Sequence, residues 1–110
     1  MKQWAIDYSA LAKADILSIG HYLSKVLQTP RAARAQVSRI VAQISELQTL
    51  PKKFPAYDTD ACGKLGLQRM NVDKFAVFYL LDDTASIVTI IRVLYGGRDI
   101  DHILEDATEA

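Results

Sequence analysis

The chain has 110 residues, half of them apolar, with 13 basic and 13 acidic side chains and no net charge. That is enough for one hydrophobic core and too little for two, so residues 1–110 read as a single domain. The single cysteine, Cys62, excludes an internal disulfide and a cysteine-built zinc site, and no run of about 18 apolar residues offers a membrane span.

The opening stretch, MKQWAIDYSA, meets Asp7 too early for a signal peptide, and the free thiol suits a reducing compartment; a cytoplasmic chain is the expectation. Within the neutral total the charges are sorted. Residues 25–74 carry nine Lys/Arg against four acids, and residues 99–110 carry five acids and no Lys or Arg. A basic body with an acidic tail is either ordinary solvated surface or a face for an anionic partner.

Taken in chain order, Lys2–Tyr8 predicts a strand, because Trp4, Ile6 and Tyr8 alternate with Gln3, Ala5 and Asp7. Ser9 is placed to cap a helix whose apolar stripe is Ala12, Ile16, Ile19 and Leu23. Gly20 inside that stripe suggests close packing, since glycine costs a helix up to about 1 kcal/mol relative to alanine. Thr29 and Pro30 open a second helix with the stripe Ala33, Val37, Ile40, Ile44 and Leu47, which Pro51 stops. Residues 51–66 read as loop. LGLQRMNV (65–72), FAVFYLL (75–81) and IVTIIRVLY (87–95) predict three strands, joined at Asp73–Lys74 and at DDTAS (82–86). After Gly96–Gly97 comes an acidic helix or tail. The order β–α–α–β–β–β predicts an α+β fold: a helical hairpin packed on a four-stranded, mainly antiparallel sheet, with a short C-terminal helix or tail.

No phosphate loop, dinucleotide fingerprint, HExxH or CxxC is present, so neither a cofactor nor a metal is expected. His21, His102 and Cys62 stand without partners that would make them catalytic. The arginines carry more. Arg69 and Arg92 fall inside strands, where an unpaired guanidinium is expensive to bury, so each must meet a carboxylate or open to a groove. For Arg92 a structural ion pair is expected, with Asp7, Asp99 or Glu46 as partner. Arg98, beyond the glycines, is placed for an anion as readily as for solvent. Arginine cannot move protons near neutral pH, but it can hold a phosphate and offset transition-state charge. Tyr95 could take a proton only if its pKa fell about three units from about 10, which requires about 4 kcal/mol of differential stabilisation.

The element order, with IDYSALAKADILSIGHYL, LQRMNVDKFAVFYLL and IIRVLYGGRD, resembles the RelE/ParE superfamily of toxins from type II toxin–antitoxin systems over about residues 3–104. The resemblance implies a toxin that causes growth arrest and is held inactive by a cognate antitoxin. RelE-like members are ribosome-dependent endoribonucleases that cleave mRNA without metal. ParE-like members inhibit DNA gyrase and cut nothing. The ribonuclease reading comes first, and gyrase inhibition is the alternative. Under the ribonuclease reading Arg69, Tyr95 and Arg98 would be catalytic and Lys52, Lys53 and Lys74 would bind RNA, while Arg31, Arg34 and Arg39 would meet the antitoxin. The chain departs from the RelE pattern at Ala76, where those nucleases carry a further arginine. The ribonuclease reading requires Arg69, Tyr95 and Arg98 to converge on one concave rim.

Overall fold

The computed structural model describes residues 3–27, 29–49, 51 and 67–96. Two helices lie on one face of a four-stranded sheet: β1 (Ala5–Tyr8), α1 (Ala10–Leu27), α2 (Pro30–Ser45), β2 (Gln68–Val72), β3 (Phe75–Asp82) and β4 (Ile87–Tyr95), in the spatial order β1-β4-β3-β2. The α+β architecture and element order follow the expectation. β2 and β3, and β3 and β4, are antiparallel neighbours. β1 runs parallel to β4, Ala5 opposite Ile87 and Tyr8 opposite Ile90, a pairing that no tight hairpin could connect and that both helices and the β2–β3 hairpin separate in the chain.

The local signals act as their chemistry demands. Ser9 Oγ accepts the Ala12 N–H at 3.0 Å and donates to the Ile91 carbonyl at 2.8 Å, so the residue that starts α1 also ties it to β4. Thr29 Oγ1 accepts the Ala32 N–H at 3.3 Å, and Pro30 takes the first helical position. α2 ends at Ser45, earlier than its apolar stripe, because a single 3₁₀ turn over Glu46–Gln48 carries Leu47 into the core. The first strand also starts later than its alternation predicts: the Trp4 N–H bonds the Gln48 carbonyl at 2.8 Å, and pairing with β4 begins at Ala5. Asp73 turns the β2–β3 hairpin at φ 54°, a left-handed conformation that aspartate tolerates better than most residues.

The main core lies between sheet and helices. Met70, Val72, Phe75, Val77, Tyr79, Val88, Ile90 and Val93 meet Ala12, Ile40, Ile44 and Leu47 there. Leu67, Ala76, Phe78 and Leu94 form a smaller cluster on the second face. β3 is therefore buried on both faces from Phe75 to Tyr79, which explains its unbroken apolar run.

One irregularity decides which face the end of β4 presents. Phe78 is opposite Arg92, but Tyr79 is opposite Ile90, so Ile91 is an extra residue in β4. Before it, Val88 and Ile90 face the helices; after it, Val93 does. The bulge reverses which of β4's alternating side chains point inward.

Gly20 departs from its expectation. A Cβ built there would lie 3.7 Å from Val37 Cγ2, an ordinary contact, so the helices leave room for a methyl group. Among the described residues no helix is long and apolar enough to cross a membrane.

Candidate functional site

The exit of β4 gathers most of the singled-out side chains that are described. Tyr95 lies opposite Phe75, and the two rings meet edge to face with centroids 5.9 Å apart. Phe75 belongs to the core under the helices, so Tyr95 points to the helical side, where it is about half exposed. The Gly96 N–H bonds the Lys74 carbonyl at 2.9 Å and closes the ladder beside the β2–β3 turn. This brings Lys74 next to Tyr95.

Arg69 goes the other way. It is opposite Phe78 on the second face, and its guanidinium carbon stands 5.6 Å from the centre of the Phe78 ring. Its Nε donates to Asn71 Oδ1 at 2.9 Å, and Nη2 lies 3.8 Å from where a Cβ on Gly96 would be. Arg69 and Tyr95 therefore reach the same end of the sheet on opposite faces. The bulge is the cause: were Ile91 paired in the ladder, simple alternation would carry Tyr95 to Arg69's side.

Arg92 forms the expected ion pair with an unexpected partner. Its Nε and Nη2 donate to the two carboxylate oxygens of Asp15 on α1, at 2.7 and 2.8 Å, with both side chains largely buried. Of the sequence candidates, neither Asp7 nor Glu46 is the partner, and Asp99 lies outside the described residues. Asp15 Oδ2 also accepts the Val93 N–H at 3.0 Å. β1 has stopped opposite Ile90, so the carboxylate takes the place of the missing strand. The hydrogen bonds from Arg92 to Asp15 raise its already high pKa, and its charge is fixed in the fold.

A cleft of about 830 Å³ opens between α1 and this end of the sheet. Tyr22, Val26 and Leu23 of α1 form one wall, and Phe75, Val93 and Tyr95 line the other side. At its rim Asp73 accepts Gln36 Nε2 at 2.8 Å and Arg39 Nε at 3.1 Å. Gln36 and then Arg39 hold the Asp73 carboxyl below its ordinary pKa by hydrogen bonding to the charged form. Arg39 is thus both exposed and engaged, whereas Arg31 and Arg34 are exposed on α2. Arg34 borders a second groove, of about 450 Å³, between the helices, with Leu17 and the exposed His21. Among the described residues no three His, Cys, Asp or Glu side chains gather as metal ligands.

The structure thus brings Tyr95, Lys74 and Arg39 to one cleft and leaves Arg69 on the far face. Lys52, Lys53, Cys62, Arg98, His102 and the acidic tail lie outside the described residues. Sequence reasoning missed Asp15, Tyr22, Gln36 and Asp73. A signal existed for Tyr22 and Val26, which stand four apart along one flank of the α1 stripe, but exposure is not readable from spacing alone.

The comparisons agree with this architecture. A family model described as the ParE toxin of the type II toxin–antitoxin system parDE matches residues 6–100. A structure of the chromosomal ParDE system from P. aeruginosa superposes with a TM-score of 0.69 at 19% identity, covering 84% of this chain and 96% of that one. The archaeal RelE–RelB complex from Pyrococcus horikoshii OT3 gives 0.61 at 16% identity, covering 87% and 98%. The toxin–antitoxin complex RelBE2 from Mycobacterium tuberculosis gives 0.59 at 17% identity, covering 84% and 98%. At such identities these likenesses speak for the fold. Among curated protein sequences, none is similar enough to match.

Proposed function

The chain belongs to the ParE toxins of type II toxin–antitoxin systems, and on that premise we propose that it arrests growth by binding DNA gyrase, without cutting nucleic acid, until a cognate antitoxin neutralises it. The placement of Arg69 and Tyr95 on opposite faces of the sheet carries this reading. Metal-free RNA cleavage needs a group that activates the 2′-hydroxyl, a cation at the phosphorane and a proton for the leaving oxygen, all within reach of one phosphate. A tyrosine and an arginine divided by the sheet do not share a phosphate. Arg92, the remaining strand arginine, is bound to Asp15. What the helical side offers is surface for a protein: a broad cleft with aromatic and aliphatic walls and cations at its rim.

The test compares two assays on the purified chain. Inhibited supercoiling by gyrase, with mRNA on translating ribosomes left intact and the effect reversed by the antitoxin, is the expected result. Cleaved mRNA with normal supercoiling would overturn it.

One observation favours the ribonuclease as a second reading. Arg69 Nη2 reaches the Gly96 position, and Arg98 follows two residues later in the sequence. In that case Arg69→Ala and Arg98→Ala would each abolish cleavage, with Tyr95→Phe, Lys52→Ala, Lys53→Ala and Lys74→Ala weakening it. Arg31 and Arg34 remain candidates for acidic residues of the antitoxin, and Arg39 can join them only in competition with Asp73.

A further inference from the structure

We propose that the groove between α1 and α2, on the flank of α1 turned away from Tyr95, receives an acidic segment of gyrase that carries one apolar anchor residue. This rests on the gyrase reading above and gives the target a surface, Arg34 included, that the sequence alone offered to the antitoxin.

Charge is the first observation. The two helices carry five cationic side chains, Lys13, Lys25, Arg31, Arg34 and Arg39, and one acid, Asp15. Asp15 is engaged by Arg92, and Arg39 by Asp73. The other four charges are all cations, all exposed, and none has an ion pair among the described residues. Arg34 lines the groove itself. Lys13 stands one turn before Leu17, Lys25 one turn after His21 and Arg31 one turn before Arg34, so each is a neighbour of a lining residue. A surface of one sign gathers partners of the other and speeds their encounter.

Shape is the second observation. The groove has a volume of about 450 Å³, and Gly20 and Ala33 keep it open because neither carries more than a methyl group. A Cβ on Gly20 would meet only Val37 among the described residues, so the helix surface is bare there. Leu17 lines the same groove and is 68% exposed, the one large apolar side chain of the lining left so open to water.

Together these choose the occupant. A second copy of this chain, docked about a two-fold axis, would set the same cations against one another, and like charges across an interface are costly. Duplex DNA would meet the cations but gain nothing from an apolar groove with an exposed leucine. An acidic protein segment uses both features. Its carboxylates meet Arg34 and the neighbouring cations, and its apolar residue enters over Gly20 between Leu17 and Val37. No carboxylate lines the groove to repel it.

The experiment places Leu17→Glu and Arg34→Glu in the full-length chain, with Thr84→Glu in the exposed β3–β4 turn as the control. All three positions are exposed, and circular dichroism confirms that each variant folds. Supercoiling by reconstituted gyrase is titrated with each variant, and affinity for the purified product of the adjoining reading frame is measured by calorimetry. Leu17→Glu and Arg34→Glu are each expected to raise the half-inhibiting concentration by about 10-fold or more, and Thr84→Glu to leave it unchanged. Antitoxin affinity should stay within about twofold of the parent in all three. Unchanged inhibition by both groove variants overturns the proposal. So does a parallel loss of antitoxin affinity, which assigns the groove to the antitoxin. Binding of the chain to duplex DNA alone, abolished by Arg34→Glu and kept by Leu17→Glu, makes the face a nucleic-acid surface and overturns it too. A parent chain that leaves supercoiling untouched instead removes the gyrase reading, and this inference with it.

Discussion

Asp15 holds β4 through Arg92, with two charge-assisted hydrogen bonds of 2.7 and 2.8 Å and a third bond to the next backbone N–H. One carboxylate thereby neutralises a strand arginine, closes an open ladder position and fixes α1 over the end of the sheet. Because α1 forms a wall of the cleft, the pair also sets the cleft's width.

Asp15→Ala is expected to destabilise the fold by about 3 kcal/mol, since it leaves a mostly buried guanidinium and a backbone N–H without their acceptor. Asp15→Asn, which keeps an acceptor oxygen, is expected to cost less. Urea unfolding of the two variants checks the order. Equal losses would mean that charge, and not the N–H, dominates the contact.

The Asp73 carboxyl should titrate below its ordinary value of 3.8, because hydrogen bonds from Gln36 and Arg39 favour its charged form. A depressed folded pKa stabilises the fold above the unfolded value, and this contribution fades as pH falls below 3.8 toward the folded pKa. Carbon-detected NMR titration checks it: Gln36→Ala should raise the Asp73 pKa, and Arg39→Ala should raise it as well.

Tyr79 lies wholly inside the core, and its hydroxyl has no hydrogen-bond partner among the described residues. Burial pushes its pKa up to about 12. Tyr79→Phe is expected to stabilise the fold by about 1 kcal/mol at neutral pH, since it removes an unsatisfied polar group. In the parent chain stability should fall between pH 10 and about 12, where the unfolded phenol ionises and the folded one stays protonated, and the variant should lose less over that range. Thermal melts against pH read both effects.

Gly20→Ala should raise stability by about 0.5–1 kcal/mol, because the helix gains propensity and the new methyl meets Val37 at an ordinary distance. A lower melting temperature would show that the helices cannot accept the group.

The periodic signals were legible because their causes are local. The stripes on α1 and α2, the caps at Ser9 and Thr29, and the hairpin at Asp73–Lys74 depend on residues within a few positions of one another. That Arg92 would be paired could also be read, from the cost of burying a guanidinium alone. Its partner could not, because Asp15 stands 77 residues away and reaches β4 only after the helices cross the sheet. That Arg69 and Tyr95 lie on opposite faces could not be read either, because IVTIIRVLY contains no glycine or proline to mark the bulge at Ile91.

That extra residue at Ile91 works like a half-twist in a ribbon: downstream letters keep their order while their orientation is exchanged. Two toxins with the same last-strand letters can therefore present opposite chemistry to their targets when the strand bulges in only one of them. Shifting the pairing of a strand by one residue, without replacing any functional group, exchanges the face of a small sheet on which its side chains stand.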